Sequence, residues 1–296
     1  MVQLSDNMRG ALAMVGSMTA FTVNDAFMKA LSDELPLFQS IFLRGIFVVI
    51  ALVILCRYMG QLRFDFGARN WRLIVIRTTA EMIGAVLFIK ALYHLPIANI
   101  SAILQALPLT VTLAAAVFFR EPLGWRRFSA ILVGFFGVML IVRPGGADFD
   151  IYSLYVVGAV AVVTIRDLAA RRMTSSVPSV MVGLLAATGV TSMAAVGLLF
   201  EVWQPVTSLA AGQLGGAGLF ILGGYVFSVA AMRMGEISFV APFRYTSLLV
   251  ALMLGYFVFG DFPKPLTLLG AFIVVAMGLL TLYRERQLQI RRRASA

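Results

Sequence analysis

The chain has 296 residues, 60% of them hydrophobic and 13% charged, with a formal net charge of +10. That composition is too apolar for one soluble domain: a membrane-spanning helix takes about 20 apolar residues, so ten spans consume roughly two thirds of the chain and leave no length for a soluble catalytic domain. The single cysteine, Cys56, excludes an intramolecular disulfide, and the single histidine, His94, excludes a histidine-based metal cluster.

Apolar stretches bounded by charges or by Pro and Gly predict ten transmembrane helices. The first five cover residues 11–29, 37–56, 73–91, 97–119 and 125–142, and the second five 151–168, 180–200, 214–232, 237–259 and 266–282. Arg9 precedes the first stretch as it would in a signal peptide. Asp25 and Lys29 follow without a small-residue cleavage pattern, so the segment reads as a retained helix.

Basic residues fall on alternate loops. Arg57, Arg63, Arg69 and Arg72 lie between the second and third spans, Arg120, Arg126 and Arg127 between the fourth and fifth, and Arg171 and Arg172 between the sixth and seventh. Both tails are basic as well. Because Lys and Arg accumulate on the cytoplasmic side, both termini are expected there, in a multi-pass protein of the cell inner membrane. The positive charge therefore reports topology, and without an aromatic-interleaved basic surface or a reading motif no nucleic-acid partner is expected.

The sequence repeats itself. At a shift of 140, Gly84 meets Gly224, Ala91 meets Ala231, Phe119 meets Phe259 and Glu121 meets Asp261; at a shift of 142, Asp25 meets Asp167, Lys29 meets Arg171 and Pro36 meets Pro178. A five-helix unit has an odd number of spans, so its second copy enters from the opposite face, giving two inverted repeats over residues 1–146 and 147–284 with a basic tail, 285–296. Inverted repeats are a recurring transporter architecture, with substrate near the midplane at the repeat interface.

Ionisable residues inside spans are costly against lipid and mark partners or cavities. Arg77 and Glu81 share one face of the third span and read either as a self-neutralised pair or as cavity liners. Arg244 and Tyr245 sit two turns into the ninth span beside Pro242, which frees a backbone carbonyl; an arginine there suits a carboxylate or phosphate, and the tyrosine a stacking face. Gln105 in the fourth span is a hydrogen-bonding candidate, and Tyr225 in the eighth a second aromatic one. Gly223 and Gly224 precede it as a hinge or a packing site. Asn24, Asp25 and Lys29, and Arg166, Asp167 and Arg171, occupy corresponding repeat positions, each acid able to pair with the base one turn later. They anchor helix ends or act as gates and coupling groups. Met14, Met18, Met82 and Met232 are candidates for an adaptable apolar wall.

Phe118-Phe119-Arg120-Glu121-Pro122-Leu123 followed by Gly134 and Gly137, and Phe257-Val258-Phe259-Gly260-Asp261 followed by Gly270 and Gly278, resemble the aromatic-Gly-acidic turn of the drug/metabolite transporter superfamily. The likeness is to its EamA-domain branch, which includes YddG-like amino-acid exporters, and it covers nearly the whole chain. Arg120 stands where glycine is usual, and Asp261 where glutamate is. The resemblance implies an all-α, ten-helix secondary transporter working by alternating access, with no cofactor and no enzymatic activity. Its partners are a small-molecule substrate and membrane lipid, and a monomer is the expected form. The expected cargo is an aromatic or other amphipathic amino acid moved outward; the alternative is an anionic or aromatic metabolite such as a vitamin or nucleotide-like compound. An intramembrane enzyme is disfavoured because no G-x-S-x-G, H-E-x-x-H or second histidine is present, and no Walker phosphate loop supports ATP hydrolysis.

Overall fold

The computed structural model describes residues 6–121, 124–146, 149–174, 176–234 and 237–294. Regular structure among them is helical: α1 (Asp6–Ala30), α2 (Leu37–Tyr58), α3 (Ala68–His94), α4 (Ile97–Leu104), α5 (Leu107–Phe119), α6 (Trp125–Val142), α7 (Tyr152–Arg172), α8 (Ser179–Gly197), α9 (Ser208–Met234), α10 (Ile237–Val240), α11 (Thr246–Phe259) and α12 (Pro265–Ala294). Three 3-10 turns, Leu31–Asp33, Leu198–Phe200 and Ala241–Tyr245, join or end them. Among the described residues this makes ten long helical stretches, since α4 with α5, and α10 with its 3-10 turn and α11, each form one interrupted span. The fold is all-helical and integral to the membrane.

Eight of the ten are long and apolar enough to cross a bilayer by composition; α1 and α3 are not. The reason is charge. Within their length α1 carries Asp6, Arg9, Asp25 and Lys29, and α3 carries Arg69, Arg72, Arg77, Glu81 and Lys90. The helices that fail on composition are therefore those holding much of the candidate chemistry.

Several boundaries differ from expectation, two of them for a clear physical reason. The fourth span is not continuous: Pro108, in the first turn of α5, has no N–H to give the Leu104 carbonyl. The chain bridges the gap with a tighter contact, Ala106 N–H to Ile103 O at 3.0 Å. At the other end α12 runs for 30 residues, through the basic segment expected as a tail. Arg, Gln and Leu are good helix formers and no Gly or Pro interrupts 279–294, so nothing stops the helix at the apolar boundary.

Prolines start helices and left-handed residues end them. Pro36, Pro96 and Pro178 occupy the positions before α2, α4 and α8, where each ends the preceding segment without costing the next helix a bond. Gly260 closes α11 at φ 69°, and Arg120 closes α5 at φ 54°. These two are equivalent in the repeat, so the odd arginine of the sequence adopts the backbone conformation that glycine adopts in the other copy. The adjoining Pro122 and Leu123 lie outside the described residues, as do the side chains of Met232 and of the basic residues Arg286 and Arg291 to Arg293.

Packing divides the chain into two compact units, and each draws on both halves of the sequence. One comprises residues 1–23, 95–154 and 223–296, the other 24–94 and 155–222. In the first, α6 lies along α12, and α4 packs on α11 and α12. A methyl group on Gly137 would press on the Gly270 carbonyl, and one on Gly270 on the Gly137 carbonyl, so the two backbones need bare glycine at this crossing. Met14 and Met18 of α1 join an apolar cluster with Ala231, Val240 and Phe243.

In the second unit, α2 and α3 both pack on α8. Met82 and Thr78 of α3 lie against Gly189 of α8. The segment after α8 is fastened to the start of α2: Glu201 Oε2 accepts from the N–H groups of Phe38 (2.9 Å) and Gln39 (3.3 Å), while the Gln39 side chain donates to Gln204 O and accepts from Gln204 N–H. A carboxylate on the open N–H groups of a helix start is favourable for both charge and hydrogen bonding.

Candidate functional site

Two groupings of polar residues stand out inside the spans, one in each unit. The first gathers at the helix interruptions. Gln105 is 6% exposed on the link between α4 and α5, and its Nε2 donates to Ser247 Oγ at 2.9 Å. Ser247 Oγ in turn donates to the Arg244 carbonyl at 3.0 Å. Pro242 lies in the first turn of the 3-10 segment, where its ring disrupts regular α hydrogen bonding. The two interruptions are thus joined by a relay running from the Gln105 amide through the Ser247 hydroxyl to an Arg244 backbone oxygen.

The side chains around this relay differ in access. Arg244 is exposed, whereas Tyr245 is 7% exposed. The Tyr245 hydroxyl has no hydrogen-bond partner and abuts Gly278 of α12, where an added methyl group would overlap it. In the same unit Ser17 Oγ donates to Gly224 O at 2.8 Å, and Tyr225 meets Phe21 edge to face with centroids 5.5 Å apart. Gly224 is packed under Phe21, and Gly223 faces Ala20. The glycine pair therefore lets α9 approach the aromatic and hydroxyl face of α1.

The second grouping is ionic and joins α3 to α7. Arg166 Nη1 lies 3.2 Å from Glu81 Oε1, and its Nε and Nη2 both reach Asp167 Oδ1 at 2.9 Å. The Arg77 and Glu81 pair expected along α3 is present but loose, at 4.0 Å, and Arg77 Nη1 has no hydrogen-bond partner. The side chains of all four remain 19–28% exposed. Other contacts set the register of the two antiparallel helices: Gly84 against Val163, Leu87 against Gly158 and Lys90 over the Tyr155 ring.

Asp25 and Asp167 each accept a hydrogen bond from the residue before them. Asn24 Nδ2 donates to Asp25 Oδ1 at 2.9 Å, just as Arg166 donates to Asp167. Asn24 is buried and accepts from Arg44 Nη1 at 3.2 Å; Lys29 Nζ donates to Leu92 O at 3.2 Å. Arg171 ends α7 beside Arg172, past the Arg166 and Asp167 pair.

Four participants escaped the sequence reading as site residues: Ser247, the partner of Gln105; Pro108, which makes the first interruption; Ser40, whose hydroxyl meets Tyr93 OH at 2.5 Å; and Glu201. Pro108 carried a readable signal, a proline inside an apolar run. Ser40, Tyr93 and Glu201 carried none, because their partners are 53 to 163 residues away.

Chemically, these groups can bind and release polar molecules. Donors, acceptors and paired charges are present, whereas no group of His, Cys, Asp and Glu among the described residues converges as a metal site.

Comparison with known proteins agrees. Residues 8–143 match the EamA-like transporter family. The chain is 30% identical to the riboflavin transporter of Vibrio cholerae over 277 residues, covering 90% of this chain and 91% of that one. It is 25% identical to the S-adenosylmethionine uptake transporter of Rickettsia prowazekii over 92% of this chain and 91% of the relative. It is 28% identical to the pseudopaline exporter CntI of Pseudomonas aeruginosa over 89% and 92% respectively. A solved crystal structure superposes with a TM-score of 0.65 over 94% of this chain and 98% of its own, at 18% identity, which shows a shared fold. The chain belongs to the EamA-like transporter family, as a multi-pass secondary transporter of small metabolites.

Proposed function

We propose that the chain moves an aromatic, nucleoside-like or vitamin-like metabolite across the membrane by alternating access. The observation that carries this reading is the pair of interrupted spans, broken at repeat-equivalent positions and joined by Gln105 and Ser247. Non-helical backbone at membrane depth is tolerated where it is buried in protein or lines a cavity, and discontinuous helices are where secondary transporters hold substrate. Gln105, Arg244 and Tyr245 supply polar and aromatic groups at the breaks, and Tyr225 adds a further ring in the same unit. Arg77 and Glu81 belong to the ionic group between α3 and α7. Asn24, Asp25, Lys29, Arg166, Asp167 and Arg171 are the candidate gate and coupling groups.

The substrates in the relatives' names support an aromatic or nucleoside-linked cargo ahead of the free amino acid implied by the YddG-like resemblance. The relatives work in both directions, uptake and export, so the test must be direction-neutral. Counterflow of riboflavin, S-adenosylmethionine and L-phenylalanine into proteoliposomes separates the readings. Exchange of riboflavin or S-adenosylmethionine in preference to L-phenylalanine is expected. Preference for L-phenylalanine supports amino-acid export instead, and exchange no faster than in protein-free liposomes overturns both.

A further inference from the structure

We infer that residues 199–203, between α8 and α9, are an interfacial lipid anchor: Leu199, Phe200 and Val202 enter the edge of the bilayer, and the Trp203 indole seats among the glycerol-ester groups of the lipid. The partner of this surface is the membrane itself, at a place that the transport reading leaves unused.

A segment joining two spans outside the bilayer would be covered by water and carry polar side chains. Here Leu199, Phe200, Val202 and Trp203 are all large and apolar, and each is 51–82% exposed, continuing an open apolar side of α8 that includes Val196. The backbone beneath them is nevertheless fixed. The Gln39 side chain donates to Gln204 O at 2.7 Å and accepts from Gln204 N–H at 2.9 Å, Glu201 accepts from the first N–H groups of α2, and the Thr207 hydroxyl donates to Glu34. Polar groups of the segment are thus used against the start of α2, while its large apolar side chains stay open. Four such side chains held in place without cover would be costly in water, because their apolar surface gains nothing from the order imposed on it.

Depth selects the partner. Phe200 is the last residue of the span Ser179–Phe200, and Gln39 is buried in the first turn of the span Leu37–Tyr58, so the bonds from Gln39 hold Gln204 at the level where a span begins. Three residues carry the chain at most about 10 Å beyond Phe200. Trp203 therefore lies within the headgroup region that flanks a hydrocarbon core of about 30 Å. Tryptophan is favoured at that level because its ring is apolar and its N–H can donate to lipid oxygens. The Trp203 N–H has no hydrogen-bond partner among the described residues and is open to such an acceptor. No Lys, Arg or His occurs between Arg172 and Arg233. The contact is therefore apolar with one neutral hydrogen bond, not recognition of an anionic headgroup.

The test reads Trp203 fluorescence in the full-length protein reconstituted into phosphatidylcholine vesicles. The chain has three tryptophans, Trp71, Trp125 and Trp203. Substituting Trp71→Phe and Trp125→Phe isolates the third; if that double variant does not fold, subtracting the emission of Trp203→Phe from that of wild type yields the same signal. Phosphatidylcholine brominated near the glycerol end of its acyl chains is expected to remove most of the Trp203 emission, and lipid brominated near the methyl end much less. Iodide in the water should quench it weakly, and neither added salt nor replacement of part of the lipid by phosphatidylglycerol should alter the pattern. Strong iodide quenching with none from brominated lipid would place the segment in water and overturn the inference. Brominated-lipid quenching that fades as the protein-to-lipid ratio rises would show a second copy of the chain covering the patch, which also overturns it. So would quenching that requires phosphatidylglycerol, since the partner would then be a charged headgroup. Because no transport is measured, failure here leaves the cargo reading untouched, and failure of that reading leaves the anchor standing.

Discussion

Gln105, on the link between α4 and α5, donates a 2.9 Å hydrogen bond to Ser247 at the start of α11, joining the two spans that are broken in the middle. At a shift of 140 residues Gln105 corresponds to Tyr245, which ends the 3-10 turn, so the two breaks correspond in the repeat although their side chains differ. Replacing Gln105 by Leu removes the donor, while Ser247 can still donate to the Arg244 carbonyl. The expected stability loss is about 1 kcal/mol, typical of one neutral hydrogen bond. The transport rate should fall far more than that stability change alone explains. Equal transport by Gln105→Leu and wild type in proteoliposomes would remove the relay from the substrate path.

How much of this was legible follows from range. Hydrophobic runs, loop arginines and the repeat are local or periodic features, and they fix the ten helical stretches. Pro242 signalled one interruption, and Pro108, four residues after Leu104, carried the same signal for the other. The Arg166 to Glu81 bridge could not be read because the residues are 85 positions apart, and only the antiparallel register of α3 and α7 makes them neighbours. Local spacing favoured Arg77 with Glu81, and that pair exists, but the nearer guanidinium comes from the other half of the chain.

Arg166 is the hub of the ionic group, so its removal should be the most damaging single change there. Arg166→Met leaves Glu81 and Asp167 without their closest cation, and breaking one side of such a partly buried group costs about 3 kcal/mol. Combining it with Glu81→Gln should recover part of the loss, with a coupling of about 1 kcal/mol or more. Thermal unfolding of the two single variants and the double variant measures this directly. Strict additivity would show that the 3.2 Å contact carries no energy.

Arg244 is exposed within a 3-10 turn whose backbone is held by Ser247, so its guanidinium is free of the packing that fixes Tyr245 beside it. Arg244→Ala is expected to leave membrane insertion and the thermal midpoint close to wild type and to abolish counterflow. Wild-type exchange in this variant would take Arg244 out of the substrate path.

Tyr245 and Gly278 make a packing pair that can be tested in both directions. The buried hydroxyl of Tyr245 has no partner, and a methyl group at Gly278 would overlap it. Gly278→Ala should therefore destabilise the protein by about 1–3 kcal/mol through overpacking. Tyr245→Phe removes the unpaired hydroxyl and should be neutral or stabilising alone, since an unsatisfied buried polar group costs about 1–3 kcal/mol. In the Tyr245→Phe background Gly278→Ala should cost less. A penalty of the same size in both backgrounds would place the clash elsewhere.

Arg120 and Gly260 close equivalent helices in left-handed conformations, at φ 54° and 69°, but only glycine adopts that region without steric conflict at Cβ. The conflict costs roughly 1–2 kcal/mol for an ordinary L-residue. Arg120 therefore holds a strained position that its repeat partner holds freely. Arg120→Gly relieves the Cβ conflict but gives the unfolded chain more freedom, so the net gain should be about 1 kcal/mol, seen as a higher thermal midpoint. Gly260→Ala should lower it by a similar amount, making the pair a matched test at equivalent positions of the two repeats. If Arg120→Gly instead lowers the midpoint, the arginine side chain must contribute more at this turn than its backbone strain costs, and its place in the repeat is not filled by conformation alone.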